Sequence, residues 1–365
     1  INSFFMKNTN HYAILMAGGI GSRFWPVSTT QYPKQFQDIL GVGSTLIQTT
    51  FHRLAKLMPL ENIIILTHKD YKESVKEQLP QVEDDQIVLE PEMRNTAPSI
   101  LLGALKIKKK NKDALILVAP SDHWIQGDTA FQENIEEAFQ IVASEDKLIT
   151  LGIEPTFPNT GYGYIQYKKD DAEGAKPVLK FTEKPSFKKA ETFIEEGNYV
   201  WNAGIFIWSA AFIVESFQKY HPETFRLFEK GNEFYNTEKE LEFLEENYHK
   251  AQNVSIDYAI MEKSDSVYVI PAKFKWNDLG TWKSLEDELP QDENQNTMVN
   301  GRLLPLNSTG NIIKTQNNKV VVLDGLNDFV VVEDDRVLLI TPKNKIQEIK
   351  ALREKAIEKF GEDLG

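Results

Sequence analysis

Short apolar runs alternate with amphipathic stretches through the first part of the chain. Tyr12–Met16, Ile63–Thr67, Ala114–Ala119 and Lys147–Gly152 are brief, largely apolar and bounded by glycine, proline or polar residues, which reads as buried strands. Between them, Leu46–Leu57, Tyr71–Leu79, Thr96–Lys109 and Phe131–Ala143 repeat their apolar positions at helical spacing. Strand and helix in alternation predict βαβ units and an α/β sheet. Ligands of such sheets bind at the carboxyl ends of the strands. A glycine-rich stretch and the segment Pro120–His123 both fall at such ends.

The pattern changes further along. Glu223–Asn253 is rich in helical signals. After Leu289 the stretch Pro290–Gly301 is polar and turn-rich, which predicts a linker. The β-branched runs Asn311–Thr315, Lys319–Leu323, Phe329–Glu333 and Arg336–Thr341 then predict a small β domain, closed by a helix over Asn344–Phe360. The expected domains are residues 6–289 and 290–365. Met6 is the expected natural start, because Ile1–Phe5 carries no leader pattern. No apolar run approaches the length needed to span a bilayer, so no membrane partner is expected.

Composition narrows the chemistry. The hydrophobic content of 41% and charged content of 26% suit a globular protein with a sizeable core. A net charge of −13 argues against general nucleic-acid binding, which needs a basic face. A small phosphorylated ligand is still compatible, since a few local cations suffice. The chain has no cysteine, which excludes disulfides, zinc–thiolate sites and thiol nucleophiles and fits a cytoplasmic setting.

Four motifs stand out. Ala17-Gly18-Gly19-Ile20-Gly21-Ser22-Arg23 follows the first strand, and its glycines let backbone N–H groups approach phosphate oxygens. The match is neither a P-loop, which needs Gly-Lys-Ser/Thr, nor a dinucleotide fingerprint, because Phe24 stands where a small residue is required. A strand-to-helix turn with an incidental arginine is the plain alternative; Pro33-Lys34-Gln35 tilts the balance to function. Ser121-Asp122 ends a buried strand, where an aspartate serves as a helix cap or a magnesium ligand. Asp278 lies in Trp276–Trp282 and equally suits a turn before Gly280; spacing alone does not pair it with Asp122. Glu183-Lys184-Pro185 offers a lysine that is either a solvated edge residue or a phosphate ligand. Asn202 interrupts the apolar run Trp201–Phe206 and needs partners, from backbone or from ligand hydroxyls.

Together these segments resemble the bacterial mannose-1-phosphate guanylyltransferases (GDP-mannose pyrophosphorylases). The resemblance is carried in order by Gly18–Ser28, Pro33–Phe36, Glu90-Pro91 with Arg94–Pro98, Pro120–His123, Gly161–Ile165, Phe181–Pro185, Trp201–Phe206, Ser255–Ala259 and Trp276–Trp282. Ser121 and Ala203 depart from the more usual alanine and serine, and neither change removes a charge.

The resemblance implies a Rossmann-like, GT-A-like nucleotidyltransferase domain with a mixed, mainly parallel sheet. It also implies a small left-handed β-helix-like domain that is expected to pair subunits as a homodimer. GTP and mannose 1-phosphate would be the substrates and Mg²⁺ the cofactor. Ala17, Gly18, Gly19, Gly21, Ser22, Arg94, Asn95, Thr96 and Ser121 would bind the nucleotide, with Arg23 and Lys34 on its phosphates. Asp122 and Asp278 would bind the metal. Gly163, Glu183, Lys184 and Asn202 would hold the sugar phosphate. Longer relatives carry an isomerase domain; with no histidine after His249, a histidine-built isomerase site is not expected here. The same chemistry on another hexose 1-phosphate or nucleotide stays open, as does a non-catalytic nucleotide-sugar-binding subunit. A metal-binding Asp-X-Asp glycosyltransferase is disfavoured because no two aspartates are spaced by one residue.

Overall fold

The computed structural model describes residues 7–169 and 174–365, so the expected start at Met6 lies outside the described residues. The chain forms two compact units, each assembled from separated segments. The first takes residues up to Gly18, Phe51–Ser121 and Ile125–Trp276; the second takes Gly19–Thr50, Asp122–Trp124 and Asn277–Gly365.

The strands of the first unit are β1 (His11–Ala17), β2 (Ile63–His68), β3 (Ile87–Glu90), β4 (Leu115–Pro120), β6 (Leu148–Ile153), β7 (Tyr164–Tyr167), β8 (Lys176–Thr182), β9 (Tyr199–Ser209) and β10 (Val267–Pro271). Two short strands, β5 (Trp124–Gln126) and β11 (Lys275–Asn277), lie where the chain passes from one unit to the other. Among the described residues the first unit's strands form one sheet in the order β3-β2-β1-β4-β9-β6-β10-β8-β7.

Strands β1 to β4 pair in parallel, with Ile14 beside Ile64 on one side and Val118 on the other. They are apolar almost throughout because both faces are covered. Gly103, on the helix Thr96–Lys110, allows that helix close to the sheet: a Cβ there would stand 2.7 Å from Ile14 Cδ1.

The expected mixed, mainly parallel sheet is mixed: this half is parallel, while in the other half β6 and β10 pair in parallel and the remaining pairs are antiparallel. There β9 runs antiparallel between β4 and β6, and β7 and β8 form antiparallel pairs. The reversal has a consequence for chemistry. Asn202, near the start of β9, stands beside Gly152 at the carboxyl end of β6.

The second unit holds β12 (Thr297–Leu306), β13 (Ile312–Asp324), β14 (Phe329–Glu333) and β15 (Leu338–Pro342). The first three pair in parallel, so Thr297, Ile312 and Val330 stand side by side, and β15 closes antiparallel. The predicted linker Pro290–Gly301 is corrected here: from Thr297 it is strand. Asn296 and Thr297 are buried, with the Asn296 Oδ1 accepting from Asn311 N and Nδ2 at 3.0 and 2.9 Å. The two predicted runs in Asn311–Leu323 are one strand, whose register jump between Val299 and Gly301 on its neighbour absorbs the polar Gln316–Asn318. The core of this unit joins Phe24, Trp25, Leu279, Trp282, Ile312, Val330 and Ile349. No described helix is long and apolar enough to cross a membrane.

Candidate active site

The chemistry-bearing residues gather in each unit separately. In the second unit the glycine loop is built around two left-handed residues, Gly19 at φ +90° and Gly21 at φ +70°. A side chain on Gly21 would also strike Lys34. The loop is held from within: Gln35 Nε2 donates to Gly19 O at 3.2 Å and Lys34 N to Ile20 O at 3.2 Å. Gln35, 1% exposed, was not among the predicted site residues; its place inside the Pro33–Phe36 run was the available signal.

Lys34 is 3% exposed. Its Nζ lies 3.1 Å from Asp122 Oδ2 and donates to Asp278 O at 2.8 Å, with the Phe24 ring centroid 5.5 Å away. Burial pushes the Asp122 carboxyl up, but the charges of Lys34 and His123 and the Lys34 hydrogen bond outweigh it and hold the group below its ordinary value. His123 Nε2 stands 3.9 Å from Asp122 Oδ1.

Asp278 does cap its turn. Its Oδ1 accepts from Gly280 N at 2.9 Å, while Asn277 Oδ1 accepts from Leu279 N at 2.8 Å. Leu279 sits at φ +46°, and a Cβ on Gly280 would lie 2.7 Å from Asp278 Oδ2. The turn is strained into shape and then fixed by the Thr281–Ser284 capping box. It presents Asp278 to a cavity of about 410 Å³ that Gly21, Ser22, Arg23, Lys34 and Asp122 also line. Arg23 is exposed there and forms no ion pair with a described residue. A larger hollow of about 770 Å³, beside Lys106 and Glu240 in the other unit, contains none of the predicted site residues.

The first unit holds the other groups. Ala17 O accepts from Thr67 Oγ1 at 2.9 Å, and Ser121 N donates to Met16 O at 2.9 Å, so the carboxyl ends of β1 and β4 lie together. Gly18 is exposed at the first of these ends. Arg94 spends its guanidinium on Glu92 at 2.8 Å. Asn95, at φ +64°, begins the helix Thr96–Lys110, and Thr96 Oγ1 accepts from Ile256 N at 2.9 Å. Thr96 is therefore engaged structurally.

The structure places Gly163, Glu183 and Asn202 beside one another, with Lys184 against Glu183. Asn202 N donates to Gly163 O at 2.8 Å, and a Cβ on Gly163 would stand 2.6 Å from Glu183 Oε2. Lys184 is exposed, at φ +43°, with Nζ 3.1 Å from Glu183 Oε1. The Asn202 amide finds protein partners: Nδ2 donates to Asp257 Oδ1 at 2.7 Å and Oδ1 accepts from Gly204 N at 3.0 Å. Asp257 was not predicted as a site residue, although its motif was. Burial and the Glu183 charge raise its carboxyl above the usual range against the pull of Asn202.

Among the described residues no three histidine, aspartate or glutamate side chains form a preformed metal cage. Two carboxylates on one cavity are nonetheless the donor set that suits Mg²⁺, which keeps waters and takes phosphate oxygens from its substrate.

The nucleotidyl transferase family model matches residues 12–295. The chain is 36% identical over 353 residues to the mannose-1-phosphate guanylyltransferase of Salmonella montevideo, covering 94% of this chain and 73% of that protein. It is 34% identical over 361 residues to mannose-1-phosphate guanylyltransferase 2 of Escherichia coli O157:H7, covering 96% and 74%. A crystal structure described as mannose-1-phosphate geranyltransferase from Thermus thermophilus matches with a TM-score of 0.85 and 31% identity, covering 95% of this chain and 99% of that one.

Proposed function

The chain belongs to the nucleotidyl transferase family, among the mannose-1-phosphate guanylyltransferases, and on that premise we propose that it converts mannose 1-phosphate and GTP into GDP-mannose and pyrophosphate. The observation that carries the reading is the junction at Lys34, which joins the glycine loop's neighbour to Asp122 and to the Asp278 turn around one cavity. An oxygen of the sugar phosphate attacks the α-phosphorus in line. The bond to the β-phosphate oxygen breaks, and its electron pair leaves with pyrophosphate.

The nucleophile is already an anion, so no strong general base is required. Bringing two anions together and stabilising charge on the transferred group is the main task, and positioning and electrostatics perform it. The glycine loop donates backbone N–H groups to the triphosphate, and Arg23 and Lys34 add charge. Arg94, Asn95 and Thr96 line the guanosine side. Glu183, Lys184 and Asn202 hold the sugar phosphate, with Asp257 orienting the Asn202 amide. Asp122 and Asp278 would hold Mg²⁺, which would act as a Lewis acid on the phosphates.

The parallel run β12–β14 with its stacked Asn296 and Asn311 supports a left-handed β-helix-like coil. Leu304 and Val322, register partners that are both exposed, support pairing of two copies through it, which light scattering at working concentration tests. The absence of cysteine fits a cytoplasmic setting. The deciding experiment measures pyrophosphate release for four nucleoside triphosphates against mannose 1-phosphate and glucose 1-phosphate, with and without Mg²⁺. Release confined to GTP, mannose 1-phosphate and Mg²⁺ is expected. Release with a different pair would keep the chemistry and change the substrate assignment.

A further inference from the structure

We propose that Lys350 is a polyphosphate-binding residue, delivered to the glycine-loop cavity by the helix Ile349–Phe360. The proposal rests on reading that cavity as the triphosphate end of the nucleotide site. The nucleotidyl transferase family model matches residues 12–295 and stops short of this helix.

Two observations point the same way. Lys350 lines the cavity together with Arg23, Lys34, Asp122 and Asp278, although it is remote from them in sequence. Its charge is uncommitted: the side chain is 65% exposed, and its ion-pair contact with Glu354 Oε1 is a loose 4.0 Å. Exposed pairs of that kind bind weakly. Lys34 is the opposite case, enclosed and held in place by Asp122 and the Asp278 carbonyl. The cations with freedom to close on an incoming anion are therefore Arg23 and Lys350.

The helix is also fixed to the loop it serves. Arg353 Nη2 donates to Thr30 Oγ1 at 3.0 Å, Trp25 Nε1 to Leu364 O at 2.7 Å and Thr30 N to Gly365 O at 3.0 Å. Ile349, next to Lys350, is fully buried in the same core as Phe24 and Trp25. A lysine carried on a helix pinned at both sides needs no ordering of its backbone on binding, only of its own side chain.

The test uses the full chain with Lys350→Met, Lys350→Arg and, as control, Lys355→Met on the exposed side of the same helix. Lys350→Met is expected to raise KM for GTP about tenfold, the effect of one charge-assisted contact, with KM for mannose 1-phosphate unchanged. Lys350→Arg should restore GTP binding, and Lys355→Met should match the wild type. An unchanged KM for GTP in an active Lys350→Met enzyme would overturn the proposal. So would an equal rise in both KM values with a lowered Tm, which would mean an undocked helix. If the wild type fails to turn over GTP, the parent reading has failed instead. Calorimetry with inorganic tripolyphosphate then decides: weaker binding by Lys350→Met supports the lysine's role, and equal binding removes it.

Discussion

Lys34 Nζ stands 3.1 Å from the Asp122 carboxylate and at the same time donates to Asp278 O at 2.8 Å. One enclosed ammonium thus ties together three segments of the second unit that are far apart in sequence. The arrangement keeps a carboxylate ionised in partly enclosed surroundings and keeps a cation beside it. A site that handles phosphates needs both.

Lys34→Met removes the cation and leaves the Asp122 charge without its partner. Turnover is expected to fall on the order of 10²–10³-fold, the range for losing one preorganised electrostatic contact. Stability should fall by less than the roughly 3–5 kcal/mol of a fully buried broken pair, because the Asp122 side chain is 34% exposed. Pyrophosphate release and urea denaturation read the two effects. Turnover close to wild type would detach Lys34 from the chemistry.

Asp122→Asn and Asp278→Asn separate charge from hydrogen bonding. An amide oxygen at 122 still accepts from Lys34, and one at 278 still caps Gly280 N. Each variant should keep its far-UV circular dichroism and Tm while turnover at saturating Mg²⁺ drops at least about a hundredfold. Wild-type magnesium-dependent turnover in either one would dismantle the two-carboxylate site.

Much of the fold was legible because burial leaves a plain signature. β1 is apolar and enclosed along its length, and Asn95-Thr96 marks a helix start that the structure places at Thr96. β9 was hidden because Asn202 and Gly204 break its apolar run, the amide oxygen of the first accepting from the backbone N–H of the second. β12 was hidden because Asn300-Gly301 and Pro305 interrupt its pattern and the buried polar Asn296 precedes it, which sequence patterning reads as a loop. The motif residues were found, but their partners were not. Asp257 beside Asn202 and Lys350 beside the glycine loop depend on contacts that no local spacing encodes.

Glu90 is enclosed and accepts a hydrogen bond from the Tyr248 hydroxyl. Burial pushes its carboxyl up to about 7, against the pull of that bond. A carboxyl raised in the folded state binds its proton more tightly than in the unfolded chain. Its ionisation therefore costs nothing below about pH 4.5, and the cost grows until pH 7. Stability should fall over that window by on the order of 3 kcal/mol. Glu90→Gln should flatten the fall, as read by denaturation midpoints at pH 5, 6, 7 and 8. Parallel curves for the two proteins would show that Glu90 stays ionised.

Gly163→Ala tests the sugar-phosphate cluster through its tightest contact. Gly163 has no left-handed φ, so alanine suits the backbone. The new Cβ would lie 2.6 Å from Glu183 Oε2 and 3.6 Å from Asn202 Cβ. Only the first of these is a clash, and it falls on the end of a flexible side chain that swings aside. The fold should survive with a stability change under about 1 kcal/mol. Glu183, however, would leave its place, and KM for mannose 1-phosphate should rise about tenfold, the worth of one lost hydrogen bond to a charged group. KM for GTP should hold. Glu183→Ala supplies the other half of a cycle: if alanine at 163 acts through Glu183, adding it to Glu183→Ala has no further effect. Additive losses would place Gly163 itself, through its backbone, on the substrate, and an unchanged KM in both single variants would remove the pair from sugar binding.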